Sequence, residues 1–516
     1  MGLRADGSSW AISTPHTAAT GAGIAAFERG GTAMDAALHA AVTLAVAYPH
    51  MCGVGGDLFA LVQRADGETL AISSSGRSPA GADPSALAGA ATVPVRGPVP
   101  ITVPGAVAGW HAVHATGARL PWPDAFDTGI GLAEDGVAVS GSLAGALTDP
   151  EAPFASDPGL SARFYPQGSP AALGAIVVQP ALGQTLRTLA ADGLPALYGG
   201  DLGRRYAAGL RAAGSPISVE DLATHEAHVL APMRVAFRDL HVSAVPPNSQ
   251  GFVLLQILAL LERLRIEPDL DGADAGRIAH VISAANADRD RHLADPDRMS
   301  VHPSTLLDDG HLAALAGEAR DGEVAVARPD GDTIALVTAD GEGNAVSLIQ
   351  SLFWGFGSGI LEPDTGIVAQ NRGSCFTLEP GHPNRFAPGV RPAHTLMPVL
   401  VHDDRSLVGV AGTMGGYQQP QINLHTITRT FLAGMHPADA VAAPRWVVLG
   451  RDEGRDPAQV GLEPGVPAVA VGALRAVGGF ETVEEDSFGH AHLIRRTSSG
   501  FQAGSDPRAD GSAAAN

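Results

Sequence analysis

The run Thr333–Ser351, TIALVTADGEGNAVSLIQS, constrains the fold more than any other stretch of this chain. Two apolar, β-prone segments flank a cluster of Asp, Gly and Asn, which is the pattern of a hairpin. It starts where the composition changes. Residues 300–332 are rich in Asp and Gly and read as exposed and loop-like, so residue 332 is the best candidate boundary. Upstream, Met34–Ala47 is alanine-rich and apolar nearly all round, as a buried helix is. Thr32, with Asp35 three residues on, resembles a capping box at its start, and Pro49 ends it. The loop GVGGD (Gly53–Asp57) and the strand-like FALVQ follow. A nucleotide-binding glycine loop needs strand, loop, helix in that order; here the order is helix, loop, strand, so a tight turn is the preferred reading. Residues 61–81 read as a hairpin, and 85–230 as helical segments broken by Pro and Gly. Residues 231–262 read as one strand (MRVAFRDLHVSAV), a loop (PPNSQG) and a buried helix. Further helices are expected at 275–296 and 421–434, with short strands between the Thr333 hairpin and the latter.

Composition excludes several classes. The 516 residues are 45% hydrophobic, enough for a large core, and the formal charge of −21 is a poor match for a phosphate backbone, so no nucleic-acid partner is expected. The most apolar segment, Phe252–Leu261, is too short to span a bilayer, and MGLRADGSSWAISTPH lacks the apolar centre of a secretory signal. The expectation is a soluble, cytoplasmic protein without a membrane partner. Cys52 and Cys375 are too few for a disulfide framework and read as reduced thiols. HEAH (His225–His228) and HAH (His490–His492) read as exposed loop or strand histidines lacking a third ligand, so no metal and no other cofactor is expected.

Asp332-Thr333 opens the first strand of the hairpin. A strand-start Thr is commonly structural, since β-branched residues favour strands. The functional reading requires self-cleavage: the Thr333 hydroxyl attacks the preceding carbonyl, an ester forms by N-to-O acyl shift, and water frees the new terminus. An α-amino group titrates at about 7.7–8.0. It can therefore serve as general base for its own hydroxyl, and no separate triad is needed.

The surroundings of Thr333 resemble the γ-glutamyltranspeptidase superfamily of N-terminal-nucleophile (Ntn) hydrolases, from about residue 11 to the C-terminus. The segments that carry the likeness are the stretch His16–Val62, ITVPGAVAGW, PPNSQG, ADRDRHLADP, GDTIALVTADGEGNAVSLIQSLFWGFGSGILEPDTGIV, TMGG and AGSDPRADGSAAA, in that order. The resemblance implies an α+β fold, a four-layer αββα sandwich. It is made as one precursor and cut between Asp332 and Thr333 into a large fragment, 1–332, and a small one, 333–516, which stay associated. It also admits a homodimer of such pairs. It implies Thr333 as nucleophile, Ser351 as a supporting hydroxyl, and the N–H groups of Gly415 and Gly416 as oxyanion donors. Arg77 matches the arginine that binds the substrate carboxylate; a guanidinium suits that task because its fork pairs bidentately with a carboxylate.

Other positions depart from the glutamyl pattern. An Asn and an Asp that grip the substrate's α-amine are replaced by Phe353 and Cys375, Arg372 stands where Gln is usual, and His394 and Thr395 replace paired serines. A buried ammonium needs acceptors. Phe353 offers none, Cys375 at best a weak one, and Arg372 repels an ammonium while attracting a carboxylate. His394 reads equally as an acid/base or hydrogen-bond donor to substrate and as a supporting group. GRSPA, VRGP, Gln370–Asn384 and Thr413–Gln421 share these departures with a branch resembling oxamate amidohydrolase. The expected substrate is a small carboxylate: a short acidic acyl group without an α-amine, carried as an oxalyl ester on Thr333. The alternatives are C–C bond hydrolysis beside a keto acid, releasing oxalate and a proline-derived heterocycle, and then γ-glutamyl hydrolysis or transfer or the acylase cleavage of an amide or β-lactam side chain.

Overall fold

The computed structural model describes residues 2–150, 154–321, 331–450, 458–485 and 487–516. Two seven-stranded sheets, antiparallel throughout, form its centre. Their strands are β1 (Arg4–Gly7), β2 (Trp10–Thr14), β3 (Asp57–Gln63), β4 (Thr69–Ser74), β5 (His228–Leu230), β6 (Met233–Phe237), β7 (Leu240–Ala244), β8 (Asp332–Asp340), β9 (Ala345–Phe353), β10 (Val399–His402), β11 (Leu407–Thr413), β12 (Ala491–Thr497), β13 (Gly500–Ser505) and β14 (Ser512–Ala515). One sheet runs β1–β13–β12–β11–β10–β7–β6 and the other β14–β2–β8–β9–β3–β4–β5. Both sheets contain strands from either side of residue 332.

Strand periodicity explains the layering. On β8, Ala335 and Val337 face the other sheet and pack with Ile349, Leu400, Val410 and Ile494. Their neighbours Ile334 and Leu336 face outward, onto the helices Thr17–Glu28, Ala33–Ala47 and Ala106–Ala115. The outer face of the other sheet is covered by Gly251–Leu264, Ala275–His292 and Gln419–Ile427, which bury Leu254, Ile282 and Ile422 against Val399 and Leu493. The result is the αββα sandwich. Small residues let the sheets approach: a Cβ on Gly412 would lie 3.1 Å from the Cβ of Ala335. The Thr32/Asp35 capping box is formed, and every residue of Ala33–Ala47 is buried.

Four expectations need correction. Within 300–332 the chain forms a short turn of helix at Pro303–Leu307 and the helix Asp309–Asp321, so that stretch is not simply loop-like. MRVAFRDLHVSAV is two strands, not one, reversing at Arg238, whose φ is +54°. The helix expected at 421–434 spans Gln419–Ile427 and widens into a π turn at Thr428–Leu432. His490 and His492 are buried rather than exposed. Cys52 and Cys375 are both free and buried. Among the described residues, no helix is long and apolar enough to cross a membrane.

Candidate active site

Strand β8 runs unbroken through the Asp332–Thr333 bond, and its register against β9 shifts there: Asp332 pairs with Phe353, but Ile334 pairs with Gln350. Ser351 and Leu352 therefore oppose Thr333 alone, a β-bulge. Bulges re-aim side chains. Here the Thr333 hydroxyl donates to Ser351 Oγ at 3.0 Å, joining two groups 18 positions apart. Ser351 Oγ also accepts from the Phe353 N–H (2.7 Å) and from Arg372 Nη2 (3.3 Å). Ser351 Oγ, itself held by Phe353 and Arg372, thereby anchors the Thr333 hydroxyl. The Asp332 side chain, part of the expected cleavage site, lies outside the described residues.

Arg372 is the centre of the group. Its guanidinium is fully buried, with Nη1 donating to Thr395 Oγ1 at 3.0 Å and reaching Cys375 Sγ at 3.7 Å. Its Cζ sits 4.1 Å over the Phe353 ring, a cation–π contact. Nε has no hydrogen-bond partner, and no carboxylate lies within ion-pair distance among the described residues. A buried guanidinium with a free donor is chemically suited to an anion. Asn371 sets its approach: Oδ1 accepts from the Trp354 N–H, and Nδ2 donates to the Val95 carbonyl.

Phe353 has φ +82°, which a residue with a Cβ adopts only where its surroundings force it. The ring lies against Gly331, where an added Cβ would come within 2.5 Å of Cδ2 and Cε2. Gly331, two residues before Thr333, thus lies directly against the Phe353 ring. Thr333, Ser351, Arg372, His394 and Thr395 are all at 0% exposure, with Phe353 and Cys375 close behind. Gly331→Ala is expected to push the ring aside and slow self-cleavage about tenfold, while turnover by protein already cut stays unchanged. A time course on denaturing gels, with activity normalised to cut protein, checks both parts.

Gly415 and Gly416 follow β11 with φ of +128° and +50°, conformations that suit glycine. They open a short 3-10 turn leading into Gln419–Ile427, so their N–H groups belong to a first turn, where no earlier carbonyl of that helix can accept them. Gln250 ties them to the rest: its Nε2 donates to the carbonyls of Gly416 and Thr395, both at 2.8 Å. Tyr417 packs with Phe353 and Cys375.

His394 is not aimed at Thr333 in any described contact. Its Nε2 lies 3.1 Å from Asp57 Oδ2, and both side chains are fully buried. Its Nδ1 accepts from the Leu396 N–H at 3.3 Å, so the proton resides on Nε2 and both ring nitrogens are committed. That geometry favours the supporting reading. Arg77 also stands apart. Its guanidinium donates to Asp295 (3.1 Å) and the Gly389 carbonyl (2.9 Å), with Asp297 at 3.7 Å. Asp57, Gln250, Gln370 and Tyr417 were missed. Asp57 and Gln250 end conspicuous stretches, GVGGD and PPNSQ, yet nothing local marks their side chains as part of the site.

A hydroxyl at the head of an inner strand, in an αββα sandwich, is the arrangement expected of an Ntn hydrolase. The γ-glutamyltranspeptidase family model matches residues 19–516, and the chain belongs to that family. It is 37% identical to the oxamate amidohydrolase proenzyme of Klebsiella pneumoniae, over 97% of each chain. It is 35% identical to the glutathione hydrolase-like YwrD proenzyme of Bacillus subtilis, again over 97% of each. Among solved structures, cephalosporin acylase from Bacillus halodurans superposes with a TM-score of 0.90 at 31% identity, covering 99% of this chain and 97% of the other.

Proposed function

We propose that the chain cuts itself before Thr333 and then hydrolyses amides of a short, amine-free acid, with oxamate as the model substrate. The observation that carries this is Arg372: a buried guanidinium with an unpartnered Nε, hydrogen-bonded to Ser351 and stacked on Phe353. It marks the place of a substrate carboxylate close to the nucleophile, and the groups beside it, Phe353 and Cys375, have nothing to hold an ammonium. The proenzyme names of two relatives support self-cleavage, and the name of one supports oxamate as the class of substrate.

In maturation the Thr333 oxygen attacks the Asp332 carbonyl carbon, the amide nitrogen takes a proton, and the C–N bond breaks to leave an ester. Water cleaves the ester, giving the Asp332 carboxylate and a free Thr333 amine. In turnover the amine accepts the hydroxyl proton as oxygen attacks the oxamate amide carbon. The Gly415 and Gly416 N–H groups stabilise the oxyanion. The amine's proton leaves with ammonia, and water then splits the oxalyl ester to oxalate, restoring Thr333. Arg77, paired with Asp295, is not needed for this step.

The test is to incubate cut enzyme with oxamate, a γ-glutamyl anilide and a keto-acid heterocycle, and to follow oxalate and ammonia. Oxalate and ammonia from oxamate, with the anilide untouched, are expected. Anilide turnover without oxalate from either other compound defeats the reading.

A further inference from the structure

Asp57, His394 and Arg372 come from β3, from the segment before β10 and from the short helical turn Arg372–Cys375, and all three side chains are fully buried. Asp57 Oδ1 accepts from the Gly76 and Gly105 N–H groups (3.1 Å each) and from Gln370 Nε2 (3.0 Å), and Oδ2 faces the His394 Nε2–H. Asp57 pairs with Ser351 across β3 and β9, and His394 directly precedes Thr395, so both lie beside the two hydroxyls that hold Arg372; the fully buried charges here are +1 from Arg372 and −1 from Asp57. The site is neutral when empty. A substrate carboxylate at Arg372 makes it net negative, and an uncompensated buried charge is strongly unfavourable. One proton from solution restores neutrality, and the Asp57–His394 pair is where it can go.

We propose that Asp57 is the resident counter-ion of Arg372 and that the Asp57–His394 pair takes up one proton when a carboxylate substrate binds. The proposal rests on Arg372 being the carboxylate grip. Burial pushes the Asp57 carboxyl up to about 7, Arg372 being the foremost of the influences that hold it down. Burial and Arg372 keep His394 well below the usual imidazole range. An arriving carboxylate compensates Arg372 and so removes the main brake on protonation. The other groups in view are Tyr198, Arg391, which is 3.8 Å from Asp295, and, after cleavage, the Thr333 amine. The Phe59 ring covers His394 at 4.5 Å between centroids and carries no charge. Asp57 and His394 are positioning residues: they set the charge state in which Arg372 meets substrate.

The sign follows from reciprocity. Below pH about 7 the pair is already protonated and KM does not respond to pH. Above it, KM for oxamate rises, by about tenfold between pH 7 and 8.5. Calorimetric titration of the cut enzyme at pH 8, in buffers of different ionisation heats, uses two monoanions that are not hydrolysed: pyruvate for an oxalyl group and valerate for a longer chain. Wild type is expected to take up more protons per pyruvate than Asp57→Asn, whose KM is flat in the same range; the Thr333 amine contributes equally to both. Infrared difference spectra of wild type on adding pyruvate are expected to show a new protonated carboxyl or imidazolium band, and they decide the matter alone if the variant does not fold. Equal uptake in both proteins, or no such band, overturns the proposal. Uptake with valerate while pyruvate fails to bind upholds it and overturns the oxalyl reading; binding of neither overturns both.

Discussion

Thr333→Ala is expected to run as one band of 52.5 kDa on a denaturing gel, where wild type runs as fragments 1–332 and 333–516. The variant lacks the attacking oxygen, so neither acyl shift nor a free Thr333 amine can arise. Turnover of oxamate falls to background, a loss of about 10⁴-fold or more. Folding is expected to survive. Among the described residues the Thr333 side chain contributes one hydrogen bond, to Ser351, and the removed atoms lie at the end of β8 rather than in the middle of the sheet packing. An unchanged circular dichroism spectrum therefore belongs to the prediction. Thr333→Ser keeps the oxygen but loses the methyl that fixes the rotamer; it should cut slowly and incompletely. A wild-type chain that stays whole, or an alanine variant that is cut, defeats the nucleophile assignment.

Arg372→Leu is expected to lower kcat/KM by about 30- to 5,000-fold, the range for losing a buried, charge-assisted pair worth about 2–5 kcal/mol. Most of the loss should fall on KM, since the guanidinium binds the carboxylate in ground and transition states alike. Arg372→Lys keeps the charge but loses the fork to Ser351 and Thr395, and it should retain part of the binding. Arg77→Ala serves as the comparison. Its guanidinium is held by Asp295 and Asp297, so a change of less than about tenfold is expected, as for a half-exposed pair. Steady-state kinetics on the three cut proteins, with melting curves to confirm folding, make the check. A larger effect at Arg77 than at Arg372 returns the carboxylate grip to Arg77.

The hairpin was legible because its alternation shows directly in the residues: Ala335 and Val337 face one way, Ile334 and Leu336 the other. The buried helix Ala33–Ala47 was legible for the complementary reason, an apolar run with a capped start. Asp309–Asp321 was not, because its Asp and Gly content resembles that of a loop. The turn at Arg238 was hidden because neither Arg238 nor Asp239 is a glycine. Within the site, the residues with unusual chemistry for their place, Phe353, Arg372 and Cys375, announced themselves, and the structure gathers them around Ser351. Asp57 did not. Its partners are Gly76, Gly105, Gln370 and His394, and only the folded sheets bring such distant positions together.

The mixing of strands from both sides of residue 332 in each sheet changes what kind of object the protein becomes. A cut before Thr333 severs the chain but no sheet: β8 and β9 remain between β2 and β3, and β10 remains beside β7. The uncut chain refolds at a rate independent of concentration. The cut pair must find each other while each fragment lacks half of both sheets, so refolding becomes second order and competes with aggregation. Maturation therefore turns an equilibrium stability into a lifetime, set by how slowly the interleaved strands come apart.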